Sequence, residues 1–194
     1  MWLYIGLSVS IGIWVVLGIY VFSEIKKTYD RNGVFTNKLL NLWFVMWGFY
    51  HLAIILSSLY GLWLIPLNKI FALTGGLVLI VVGIVVLATG MIEFRSLRRS
   101  CGQDISELIT TGIYRWSRNP QFIGCLLYLS GISLAGRSGL AFVLTGAATI
   151  VICLYTTRLA EPYLERIYGE EYRSYKSRTG RWLGIPCRVS SVIP

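Results

Sequence analysis

Histidine, acidic residues and any strand-like alternation are what this chain most lacks. His51 is the sole histidine, and the four cysteines at 101, 125, 153 and 187 stand singly, with no C-x-x-C pair and no zinc spacing. A metal centre is therefore not expected. No G-x-G-x-x-G follows a strand, because no stretch reads as a strand, and this excludes a Rossmann crevice for a nucleotide-like cofactor. Nine Asp and Glu face eighteen Lys and Arg, a formal net charge of +9 in 194 residues.

Hydrophobic residues make up 55% of the chain, and they come in long runs. Residues 2–23, 39–65 and 70–92 carry no charge apart from titratable His51. Each is long enough to cross a hydrocarbon core of about 30 Å at about 1.5 Å per residue. A shorter run, 120–135, and a fifth, 139–157, flank the turn Ala-Gly-Arg-Ser-Gly at 135–139. The expected fold is an all-α integral membrane protein of about five transmembrane helices, the last two a hairpin. A cytoplasmic amphipathic helix is expected to follow. The first run lacks a basic flank and a small-residue cleavage site, so it reads as a span and not as a signal peptide.

The basic excess has a pattern. Loop 24–38, segment 93–119 and the tail from 158 hold nearly all of it, leaving only Lys69 and Arg137 for the other side. By the positive-inside rule the N-terminus is outside and the C-terminus cytoplasmic. The charge then serves topology and lipid headgroups, Arg95, Arg98 and Arg99 included, and nucleic acid is not an expected partner. Cys101 and Cys187 fall on the reducing side, which argues against structural disulfides.

One structural domain is expected, in two parts that differ in chemistry. Residues 1–92 form a scaffold of three spans, and 93–194 form the catalytic half. Gly76, Gly83 and Gly90 recur at heptad spacing on the third span and Gly124 and Gly131 on the fourth, as seams for close helix packing that could equally serve a dimer. His51, alone on its span, reads as an interhelical hydrogen bond. Residues 160–178 carry a stripe of Leu164, Tyr168, Tyr172 and Tyr175, read as a helix folding its aromatic face over 93–119. Pro162 marks its kink or fresh start, Gly180 its end, and Cys-Gly-Gln-Asp at 101–104 a turn.

The stretch richest in chemistry is 110–124, which sets Arg115, Arg118 and Pro120 at the mouth of a membrane segment. Guanidinium groups are costly there unless they meet an anion. Pro120 suits the first turn of a helix, whose N-terminus adds to an anion site.

Two motifs are now visible: Thr-x-Gly-x-Tyr-x-x-x-Arg-Asn-Pro-x-Phe-x-Gly from Thr110 to Gly124, and Glu-x-x-Leu-x-x-x-Tyr-Gly-x-x-Tyr-x-x-Tyr from Glu161 to Tyr175, followed by Arg181-Trp182. In this order, across a membrane hairpin, they resemble the isoprenylcysteine carboxyl methyltransferase family, and more distantly phospholipid N-methyltransferases. The resemblance covers about residues 100–182 and is to short prokaryotic-type members. It implies S-adenosylmethionine as cofactor, S-adenosylhomocysteine as product, and methylation of the C-terminal carboxylate of an S-isoprenylated cysteine, or a similar lipophilic carboxylate, from the cytoplasmic side. It further implies that Leu108, Ile109, Tyr114, Asn119, Pro120 and Glu161 line the cofactor pocket, and that Arg118 is the arginine of the family's Arg-His-Pro core. Two positions depart from that pattern: Asn119 replaces the usual His, and Ala160-Glu161 replaces a Glu-Glu pair. Asn can hydrogen-bond a cofactor but cannot take up a proton.

A carboxylate acceptor is ionised at neutral pH and needs no general base; an amine acceptor would need one, such as Glu161 or a tyrosinate. The arginines favour the anion. Arg118 is the first candidate to hold it and Arg158 the second, with Glu161 orienting an arginine or binding the cofactor. Phospholipid or amine N-methylation is one alternative, and an NADPH-dependent, sterol-type membrane reductase another, distinguished by its need for cationic recognition of a 2′-phosphate. A non-catalytic lipid-binding protein would bind no cofactor. Transport has least support, because the first three spans lack charge.

Overall fold

The structure, a computed structural model, describes residues 2–184; Cys187, expected on the reducing side, and Arg188 of the basic tail lie outside the described residues. The described residues are helical, with one isolated bridge between Leu64 and Ser138 and no strand. Four helices are long and apolar enough to cross a membrane: α1 (Trp2–Asp30), α2 (Asn37–Leu59), α3 (Lys69–Ile92), and the continuous run Gly139–Tyr168. That run comprises α6 (Gly139–Tyr155), a π-helical turn (Thr156–Ala160) and α7 (Glu161–Tyr168). The hairpin's first arm, α5 (Pro120–Ala135), is apolar but has only 16 residues. A single turn, α4 (Leu97–Ser100), and a 3-10 turn, Gly112–Arg115, lie between α3 and α5, and α8 (Glu170–Arg178) follows α7.

Helix ends follow local chemistry. Thr36, Asn68 and Ser138 cap α2, α3 and α6, each accepting a backbone N–H of the first turn through its side-chain oxygen. Pro120 occupies the first turn of α5, where no N–H is needed.

The glycines of α3 and α5 mesh as an antiparallel seam. A methyl group at Gly83 would stand 2.5 Å from the backbone nitrogen of Tyr128 and 2.6 Å from the carbonyl oxygen of Gly124. One at Gly76 would meet Ala135 and the Gly131 carbonyl, each at 2.7 Å. The two backbones therefore touch, which fixes the C-terminal end of α3 beside the start of α5. That proximity places Tyr114 below Gly90, whose carbonyl accepts the Tyr114 hydroxyl at 3.3 Å.

A second core joins α1, α2, α6 and α7 through aromatic rings. Tyr29 stacks on Tyr163 at 4.0 Å and shares a 2.8 Å hydrogen bond with Tyr155. Tyr163 donates to the Gly33 carbonyl at 2.7 Å, and Arg166 to the Tyr29 carbonyl at 2.8 Å. These contacts anchor α7 at the loop end of α1. At the opposite end Arg137 donates to the Leu67 carbonyl at 3.1 Å and Ser138 to the Leu62 carbonyl at 2.8 Å, closing the hairpin turn. Lys69 and Arg137 lie at that end; loop 30–36, segment 93–119 and residues 156–184 lie at the other.

The structure departs from the sequence reading at His51, along 160–178 and at Gly180. His51 makes its hydrogen bond to the Trp47 carbonyl one turn back in its own helix, at 2.6 Å, and meets α5 by stacking on Tyr128 at 5.5 Å. A carbonyl only accepts, so Nδ1 carries the proton. Pro162 stands in the first turn of α7, which starts afresh at Glu161 after the π turn, as expected of a proline lacking an N–H. The stretch 160–178 is two helices divided at Gly169, whose φ of 54° and ψ of −125° suit glycine. Gly180 lies beyond the end of α8: Thr179 is already extended, with φ −126° and ψ 127°.

Candidate active site

The two motifs meet at the loop-rich end of the bundle. The residues around Arg118 are held by a bent strap, 179–184, that turns through 181–183. Arg118 donates its backbone N–H to the Gly180 carbonyl at 3.0 Å, and Gly184 donates to the Trp116 carbonyl at 3.0 Å. The Arg181 carbonyl accepts Asn119 Nδ2 at 3.1 Å and Ser117 Oγ at 3.3 Å. The aromatic face of α8 lies over the same segment. Tyr175 donates to the Tyr114 carbonyl at 2.8 Å, and Tyr168, at the end of α7, donates to the Ile105 carbonyl at 3.0 Å. Ile109, Tyr114, Tyr172 and Tyr175 form a small buried core, with Leu108 packed against it.

Glu161, in the first turn of α7, is the carboxylate at the centre. Arg118 Nη2 lies 3.2 Å from its Oε1, with the two side chains 8% and 6% exposed. Arg181 grips both oxygens, Nε to Oε1 at 2.8 Å and Nη2 to Oε2 at 2.9 Å. Arg118 Nε and Nη1 are buried and have no hydrogen-bond partner among the described residues; Gln121 Nε2 shares that condition. Buried donors without partners are rare and point to a ligand or a water. A cleft of about 550 Å³ opens beside this centre, lined by Glu161, Arg181 and charged residues of α7 and α8. A second cleft, about 460 Å³ beside Val34 and Arg98, includes none of the expected site residues.

Electrostatics limit the proton chemistry. Burial, with the Glu161 carboxylate adding to it, pushes the Tyr172 phenol up to about 12, against the opposing pull of Arg118 and Arg181. Burial raises Tyr175 and Tyr114 as well. No tyrosine of this cluster is a phenolate at neutral pH. The Glu161 hydrogen bond holds the Arg181 guanidinium in its charged form, raising it above its ordinary value.

The sequence expectations fare differently. Arg118, Glu161, Asn119 and Pro120 converge, as do Leu108, Ile109 and Tyr114 beneath α8. Arg158 does not join them: it is exposed on the π turn and makes no ion pair among the described residues. Arg181 supplies the second guanidinium instead. It was visible only as the residue after the second motif, since no periodicity links it to Glu161. Gln121 carried no signal. Among the described residues no group of three His, Cys, Asp or Glu could hold a metal ion.

The arrangement is a buried Arg118–Glu161 pair, gripped by Arg181, beside an open cleft rich in basic side chains. The family model described as phospholipid methyltransferase matches residues 71–171, just over half of the chain, and the chain belongs to that family. It is also 32% identical over 79 residues to the protein-S-isoprenylcysteine O-methyltransferase of Saccharomyces cerevisiae. That stretch is 41% of this chain and 32% of the yeast protein, so the match spans about a third of the curated relative's length. No solved structure matches the chain. Four of its helices are long and apolar enough to cross a membrane, and family membership points to a methyl donor. Both findings accord with the resemblance carried by the two motifs.

Proposed function

We propose that this enzyme transfers a methyl group from S-adenosylmethionine to a lipophilic carboxylate, of which the C-terminal carboxylate of an S-isoprenylated cysteine is the leading example. The observation that carries the reading is Arg118, nearly buried, with two guanidinium nitrogens, Nε and Nη1, that have no hydrogen-bond partner among the described residues. Two guanidinium groups against one carboxylate leave the centre one positive charge in excess, which suits an anionic acceptor. The name of the yeast relative supports the same acceptor class.

The residues present fit the donor as well. Glu161 is an anion able to face an ammonium or ribose hydroxyls, and the side chains of Asn119 and Gln121 offer amide groups. Leu108, Ile109, Tyr114 and Pro120 form the apolar wall beside them. The donor supplies an electrophilic methyl group on a sulfonium. Arg118 holds the acceptor carboxylate by charge-assisted hydrogen bonds and fixes its line of approach. The tyrosines of α8 and the strap exclude water, which raises the reactivity of the acceptor oxygen. No residue needs to remove a proton. Glu161 already meets guanidinium on both oxygens, and the phenols are neutral, so an amine acceptor would find no free base here.

The pocket lies at the end of the bundle that carries most of the basic residues, which supports a cytoplasmic site with the N-terminus outside. The lipid tail enters from the bilayer between helices.

Calorimetric titration of the detergent-purified protein with S-adenosylhomocysteine, followed by methyl transfer to an S-farnesyl thioether acid, tests the reading. Binding and turnover of the acid are expected. Turnover of phosphatidylethanolamine instead would establish the N-methyltransferase alternative, and uptake of NADPH alone would establish the reductase.

A further inference from the structure

We propose that Arg181 is a positioning residue that keeps Arg118 free to bind the acceptor; this rests on the carboxylate-acceptor reading above. A carboxylate offers two oxygens, and an arginine facing it alone settles fork to fork on both. Here the partly exposed Arg181, not the buried Arg118, holds Glu161 in that two-point grip. Among the described residues Arg118 is left with one 3.2 Å side-chain contact to Glu161, and its Nε and Nη1 have no hydrogen-bond partner.

The more exposed arginine prevails because its backbone is fixed independently of Glu161. The Arg181 carbonyl accepts from Ser117 and Asn119, and its neighbours Gly180 and Gly184 pair with Arg118 and Trp116. Strap and motif thus form one unit, and Arg181 reaches Glu161 from a set direction. Without Arg181, Glu161 would turn both oxygens to Arg118, occupy one edge of its guanidinium and neutralise its charge. The acceptor anion would then have to displace an internal carboxylate. Arg181 therefore governs anion recognition without touching the acceptor.

A structural staple alone would lower stability and depress every ligand equally; a positioning residue removes only the preference for charge. The test compares an S-farnesyl thioether carboxylic acid with its uncharged carboxamide, as competing ligands of wild type, Arg181→Ala and Arg181→Lys. S-adenosylhomocysteine affinity and melting temperature monitor folding. Wild type is expected to bind the acid roughly tenfold or more above the amide, as charge-assisted hydrogen bonds imply. Arg181→Ala should bring the two within about twofold, since the hydrogen bonds to the anion are those lost. Arg181→Lys, with a single point contact, should fall between, and it carries the test if the alanine variant does not fold. A folded Arg181→Ala that keeps the wild-type preference overturns this inference and leaves the carboxylate reading intact. No preference in the wild type overturns both.

Discussion

Arg118 and Glu161 come from motifs that flank a membrane hairpin in sequence, and their charged groups stand 3.2 Å apart with both side chains more than nine-tenths buried. The pair is not self-sufficient: Arg181 takes both Glu161 oxygens, and among the described residues Arg118 is left incompletely paired.

Replacing Glu161 tests its place at the centre. Glu161→Ala leaves two guanidinium groups facing each other without a counter-ion, and breaking a buried pair costs roughly 3–5 kcal/mol. The variant should melt well below wild type in detergent and bind S-adenosylhomocysteine at least tenfold more weakly. Unchanged binding in a folded Glu161→Ala protein would remove Glu161 from the donor site.

Arg118→Lys keeps the charge and loses the planar fork. If Arg118 holds the acceptor carboxylate at two points, kcat/KM for the acid should fall roughly 10- to 100-fold, because charged hydrogen bonds contribute about 1.5–3 kcal/mol. S-adenosylhomocysteine affinity should change little. Initial-rate kinetics with calorimetry separate the two effects, and equal losses in both would sink the assignment.

The α3–α5 seam can be probed without touching the site. Gly83→Ala places a methyl group 2.5 Å from the Tyr128 nitrogen, and overpacking of this kind costs about 1–3 kcal/mol. Gly12→Ala, with nothing within 4 Å of the added carbon, should be neutral or raise stability by up to about 1 kcal/mol through helix propensity. Paired melting curves check this; equal behaviour of the two variants would contradict the contact between backbones.

Tyr172 supplies a pH signature. Its phenol is pushed up to about 12, whereas an unfolded tyrosine ionises near 10. The unfolded chain therefore loses its proton first, so the stability linked to this group is complete below about pH 10 and is lost as pH rises from about 10 to about 12. Tyr172→Phe should flatten the alkaline fall in melting temperature over that window. Through neutral pH, turnover of a carboxylate acceptor should show no limb from tyrosine. A tyrosine limb near neutrality would refute the base-free mechanism.

Much of this was legible in the chain. The uncharged runs dictated helices, because a backbone in hydrocarbon must satisfy its own hydrogen bonds. The heptad glycines anticipated the seam, and Asn119-Pro120 the start of α5. His51 was read less well: a mid-span histidine looks equally ready to bond along its own helix or across to another, and neighbouring geometry decides. Gly169 divided what the tyrosine stripe suggested was one helix, since the stripe records only which face is buried and carries no sign of a turn between Tyr168 and Tyr172.

By itself the sequence determined a helical membrane bundle with one chemically dense end, and it named Arg118 and Glu161, because apolar run length, charge distribution and motif order are local properties. Only the tertiary structure decided which arginine holds Glu161. Arg158 is nearer in the chain but points outward from the π turn, while Arg181 is brought back by a strap bonded to the 116–119 segment. Ion pairing depends on where folding brings a guanidinium, and that placement comes from backbone hydrogen bonds between segments distant in sequence.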